Sequence, residues 1–88
     1  FPTYVDARVL AANTNETHTV PTGAKYVVFA ANCAAFYAKQ GGAAAVPAAD
    51  VTDGTGSALN PAGFGIDGIS SIGLISPTAC TISLWFFK

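Results

Sequence analysis

Charge is what this chain has least of. Only 10% of its 88 residues are Asp, Glu, Lys or Arg, against roughly 25% in an ordinary soluble domain. Four basic and five acidic side chains leave a net charge of −1. That is no field to draw a polyanion, which argues against DNA or RNA as a partner. Methionine is absent and histidine occurs once, at His18. Phe1-Pro2-Thr3 has no basic start leading into an apolar run, so no signal peptide is expected in these residues. No CxxC pair is present. One histidine distant from two cysteines falls short of the three or four ligands that zinc takes, so no metal or other cofactor is expected.

What the chain has is apolar surface: 51% of its residues are hydrophobic, which excludes intrinsic disorder. Eighty-eight residues make one domain, spanning 1–88, whose own core is marginal at this size. A free monomer keeps itself soluble with charge, and nine charged side chains leave much neutral surface. Part of that surface is therefore expected to face another protein.

Alternation marks the strands. In Tyr4–Ala11, Val5, Ala7, Val9 and Ala11 share one side and Asp6 and Arg8 the other. Asn13-Thr14-Asn15 reads as a turn that tolerates left-handed backbone. Glu16–Val20 is a short strand closed by Pro21-Thr22-Gly23. Lys25–Ala31 is rich in β-branched and aromatic residues, and Ala34–Lys39 is expected to pair with it as a hairpin. Ser70–Ser76 and Ala79–Phe87, split by Pro77-Thr78, suggest a second hairpin. Gly68 to Phe87 is twenty residues without a charge, yet its last part has period two and Pro77 interrupts it, which argues against a membrane-spanning helix. The expected fold is all-β: a single antiparallel β-sandwich, jelly-roll arrangements included.

Two segments are expected to lean on neighbours. Residues 1–6 form an N-terminal arm with no obvious mate. Residues 41–68 form a long Gly/Ala/Asp-rich loop with room for one short strand, too poor in hydrophobic periodicity to order itself. Phe1, Tyr4 and Phe64 are the candidate apolar anchors there. Trp85 and Phe87, on the outward side of the last strand, are candidates for the same partner interface.

Catalytic signals are weak. Glu16 and His18 share a strand face, which orients an imidazole but supplies no nucleophile, and that face is expected to be solvated. Asp50-Val51-Thr52-Asp53-Gly54 looks like a fragment of a calcium loop without its closing acid, even allowing for Asp67 nearby. A turn held by Asp-to-backbone hydrogen bonds is the expectation. No enzyme is expected. Cys33 and Cys80 permit one bond, but with no secretory signal they are expected to be reduced.

The segments Val20–Gly42, Val46–Pro61 and Ser70–Phe87 resemble small proteins encoded among the structural genes of tailed bacteriophages, and are similar to capsid decoration, or cement, proteins. The likeness covers most of the chain from Val20 onward and has no motif as sharp as a catalytic signature. It implies a β-rich virion protein on the outer capsid surface, assembled in the host bacterial cytoplasm. Its partners would be the major capsid protein and copies of itself, with no nucleic acid, membrane or catalytic residue involved. The alternative is a tail or spike module that recognises a host glycan or protein through exposed aromatics.

Overall fold

A computed structural model describes residues 2–88. Its regular structure is eight strands: β1 (Tyr4–Leu10), β2 (Glu16–Thr19), β3 (Tyr26–Ala31), β4 (Tyr37–Gln40), β5 (Ala58–Leu59), β6 (Gly63–Gly65), β7 (Ser71–Ile75) and β8 (Cys80–Phe87). They form two four-stranded sheets, ordered β1-β8-β3-β6 and β2-β7-β4-β5. Every pairing is antiparallel, and four of them nest: β1 with β8, β2 with β7, β3 with β6 and β4 with β5. That nesting is a long two-stranded ribbon folded over on itself, the arrangement of an eight-stranded jelly roll. The expected all-β sandwich is what forms. No described helix is long and apolar enough to cross a membrane.

The pairings differ from the expected hairpins. Strands β3 and β4 lie in different sheets, and so do β7 and β8. Alternation reports which side of a strand is apolar, not which strand lies beside it. Both connections cross between sheets at one end of the sandwich, and side chains tie them there. Ser76, fully buried, donates its hydroxyl to the Ala35 carbonyl at 3.0 Å and accepts from the Thr78 amide at 3.2 Å. Asn32 accepts from the Thr81 amide at 2.9 Å, and Asn60 accepts from the Phe36 amide at 2.9 Å. Asn13 and Asn60 both take positive φ, 56° and 46°, a conformation that asparagine tolerates better than most residues.

The core lies between the sheets. Val27, Phe29, Ile82, Leu84 and Phe86 from one sheet meet Ala38, Ile72 and Leu74 from the other, with Leu10, Phe36 and Ile66 closing the ends. Phe29 packs edge-on against Phe36, the residue just before β4, ring centroids 5.7 Å apart.

Cysteines 33 and 80 are bonded to each other, which corrects the expected pair of free thiols. The β3–β8 register explains it. Ala31 faces Ile82, and the Asn32 amide still bonds the Thr81 carbonyl at 3.2 Å. One step further along, Cys33 therefore stands opposite Cys80, with Cα atoms 5.4 Å apart and within bonding range. An argument from cell compartment does not see that register.

Two other expectations change. The N-terminal arm has a mate: from Tyr4 onward it pairs residue by residue with β8, Tyr4 opposite Phe86 through Leu10 opposite Cys80. Phe1 lies outside the described residues. The 41–68 stretch is ordered by its own domain. It contains β5 and β6, and near its start Ala44 is buried, its amide donating to Asn15 Oδ1 at 2.8 Å.

Residues 42–44 cross β7 so closely that Gly73 has no room for a side chain. A Cβ there would fall on the Gly42 carbonyl oxygen, the Ala44 nitrogen and the Ala43 carbonyl carbon, all backbone. Gly73→Ala is therefore expected to destabilise the fold by about 1–3 kcal/mol through overpacking. Denaturant unfolding checks it, with Gly41→Ala as a contrast: its strain is positive φ, since nothing lies within 4 Å of its added Cβ.

Candidate interaction surface

Two groupings of side chains stand out: a polar cluster at the open edge of the sandwich and an uncharged outer sheet face.

The polar cluster forms where β1 stacks over β2. Arg8 Nε donates to His18 Nδ1 at 2.8 Å, and Arg8 Nη1 meets Glu16 Oε1 at 3.1 Å. His18 Nε2 lies 2.6 Å from Asp6 Oδ2. An arginine Nε can only donate, so Nδ1 is an acceptor and the imidazole proton sits on Nε2, donated to Asp6. The ring is buried and stacked on Phe86, centroids 5.8 Å apart. Glu16 and His18 do share a face, but it is the inner one, not the solvated one expected. The reason is position: at an open edge the interior is half-wet, so charged groups enter it when they pair. Both ring nitrogens of His18 are engaged within the cluster, by Arg8 and Asp6. The cluster closes the edge of the core.

Asp53 behaves as a turn residue. Its Oδ1 accepts from the Thr55 hydroxyl at 2.6 Å and the Thr55 amide at 3.1 Å. The hydroxyl bond above all, then the amide bond, holds its carboxyl below the usual aspartate range. Among the described residues no three His, Cys, Asp or Glu side chains gather as a metal site, Asp50, Asp53 and Asp67 included.

The second grouping is the outer face of the β1-β8-β3-β6 sheet. Strand register places Val5 beside Trp85 and Val28, Ala7 beside Ser83 and Ala30, and Phe87 beside Tyr26. Val9 and Thr81 extend the row at one end, and Gly63 and Gly65 of β6 border it. No charged residue occupies any of these positions. Val9 is 74% exposed, Val5 56%, Tyr26 45% and Trp85 40%. Strands of seven, eight, six and three residues, about 4.8 Å apart and rising about 3.3 Å per residue, give a face on the order of 400 Å² in plan. A partly apolar face of that size matches the largest surface patch of an ordinary monomer, which is often functional. Trp85 donates its indole N–H to Ser83 Oγ at 2.8 Å, so its one polar atom is satisfied on this face.

Of the five sequence-derived anchors, Trp85 and Phe87 lie on this face. Tyr4 is 51% exposed but sits on the opposite side of β1, edge-on to Phe86. Phe64 turns into the sandwich, edge-on to Phe29 at 5.1 Å between centroids. Phe1 is outside the described residues. Sequence reasoning missed Val5, Val9 and Tyr26 as surface. Asp6 and Arg8, alternating with Val5, Ala7 and Val9, carried the signal: once two oppositely charged residues find inner partners, the valines flanking them must face out. No family model, curated protein or solved structure matches the chain.

Proposed function

We propose that the protein is a non-catalytic structural component of a tailed-phage particle, a decoration protein that binds and stabilises the outer capsid surface. The observation that carries this reading is the uncharged outer face of the β1-β8-β3-β6 sheet, with Val5, Val9, Tyr26 and Trp85 exposed on a chain poor in charge. A surface of that kind lowers its free energy by meeting a protein partner. Here the partners are the major capsid protein and further copies of the chain, after assembly in the host cytoplasm. A subunit that binds only the mature shell stabilises that shell by mass action. The resemblance of Val20–Gly42, Val46–Pro61 and Ser70–Phe87 to decoration proteins supports the reading. The jelly-roll topology agrees by analogy of fold alone. The Cys33–Cys80 bond counts against the cytoplasm as the place where the chain completes its fold, since thiols are kept reduced there; on this reading it closes after release, at the oxidising virion surface.

Quantifying the chain in purified virions tests this. Hundreds of copies per particle are expected. A handful would place the chain in a tail or spike, as a recognition module. Trp85→Lys sets a desolvated charge in the middle of the face, and it is expected to reduce occupancy on shells at least about tenfold while leaving the fold intact. Salt at about 1 M, where screening acts over roughly 3 Å, is expected to leave the wild-type chain in place. Release by salt, or full occupancy by Trp85→Lys, contradicts the proposal.

A further inference from the structure

Strand β1 ends its sheet with one edge unpaired among the described residues, where its only neighbour is β8. Natural edge strands are ordinarily blunted by proline, a bulge, lysine or shortness. β1 has none of these. It is seven residues long, Tyr-Val-Asp-Ala-Arg-Val-Leu, in unbroken register with β8. Asp6 and Arg8 do point inward, a device that also blunts edges. Their arrangement, however, is symmetric about Ala7, and that symmetry has a use.

We propose that β1 is a self-pairing edge: two copies join antiparallel along β1, with Ala7 on the two-fold axis. In that register Asp6 faces the partner's Arg8 and Arg8 faces the partner's Asp6. Val5 faces the partner's Val9, and Tyr4 the partner's Leu10. Directly opposed side chains in an antiparallel pair sit about 4.5–5.5 Å apart at Cβ, so opposite charges attract and apolar pairs pack. Shifting the register by two residues along either strand breaks both charge pairs. A single registry is therefore favoured, and a two-fold contact needs a self-complementary patch of this kind.

Both charged residues keep surface for the task. The Arg8 side chain is 33% exposed and that of Asp6 26%, while His18 and Glu16 hold them from the inner side. Val5 and Val9, 56% and 74% exposed, would be covered in part. The product is a continuous eight-stranded sheet whose uncharged outer face is twice as wide. One strand edge with a few side chains lies below the standard interface of about 800 Å² per partner, so the dimer is expected to be of micromolar strength. Self-pairing stands on β1 alone and does not depend on a capsid being the partner of the outer face.

Sedimentation velocity and a cysteine cross-link test it on the purified chain. At about 100 µM, well above a micromolar Kd, the wild-type protein is expected to be a dimer. Ala7→Cys, which adds a single thiol on the axis, is expected to form a disulfide-linked dimer under air oxidation. Ala30→Cys, on the same outer face but on β3, is not. The double variant Val5→Lys/Val9→Lys places lysine opposite lysine and is expected to weaken the dimer at least about tenfold. Mixing it with Val5→Glu/Val9→Glu is expected to restore pairing. Ala30→Lys, which would disrupt stacking of two outer faces, leaves the dimer unchanged. These positions are exposed on the strand surface, and circular dichroism checks that each variant keeps its β signal. A wild-type monomer at that concentration overturns the proposal. So does a dimer that survives Val5→Lys/Val9→Lys, fails to cross-link through Ala7→Cys, or is lost in Ala30→Lys.

Discussion

Reducing the Cys33–Cys80 bond is expected to lower the stability of the protein by about 4 kcal/mol. The two cysteines are 47 positions apart, and the chain-entropy treatment of a loop that long gives about 4 kcal/mol of constraint on the unfolded state. For a domain of this size the whole margin is of the order of 5–15 kcal/mol. The bond is therefore a large part of what keeps the sandwich folded. It also fastens the last strand of the ribbon to β3 at the end where the crossovers gather. At about 4–8 °C per kcal/mol, the melting temperature is expected to fall by roughly 20 °C in a reducing agent. Calorimetry of oxidised and reduced protein checks it, and Cys33→Ala/Cys80→Ala separates the bond from other effects of the reductant. A shift of less than about 5 °C would mean that the reduced, unfolded chain is already compact, because then the bond removes little freedom from it.

The second large effect contrasts two neighbours on β8. Phe86 is fully buried, its ring lying against His18 on one side and Tyr4 on another. Trp85, one residue earlier, is 40% exposed on the outer face. Phe86→Ala is expected to cost about 3–5 kcal/mol, by lost transfer energy and a cavity at the centre of the sheet. It also strips the surface on which the His18 ring rests. Trp85→Ala removes a larger side chain, yet it is expected to cost no more than about 1 kcal/mol in the isolated protein, since its outer side has no partner there. Denaturant unfolding of both variants checks the pair. If Trp85→Ala proves as costly as Phe86→Ala, the outer face is itself part of the core of an obligate assembly.

Strand identity was legible wherever alternation ran long. Cys80, Ile82, Leu84 and Phe86 announce the inner side of β8 by period alone, and Tyr26–Ala31 announces itself by composition. Partner choice was not legible, because a period of two fixes the side a residue faces and is silent on which strand comes next to it. The two expected hairpins failed there. On β1 the pattern was read correctly while its direction stayed open. Val5, Ala7 and Val9 are apolar and face out, because Asp6 and Arg8 find Glu16 and His18 beneath them at the open edge. Phe64 was visible as an aromatic, but glycines on both sides hide a strand as short as β6. Gly73 carried a signal of its own: a lone glycine within a strand marks a close backbone approach, and residues 42–44 supply it. The neutrality of the surface was the clearest indication of the candidate site, and its location on one sheet needed the fold.

The central claim is that the uncharged face of the β1-β8-β3-β6 sheet is where this protein meets a capsid. A cryo-EM reconstruction of native phage particles carrying the chain tests it most directly. The predicted map shows many copies on the outer shell, with Trp85, Tyr26 and Phe87 buried against the lattice. A map in which that face looks out to solvent, or in which the shell carries no such domain, would contradict the claim.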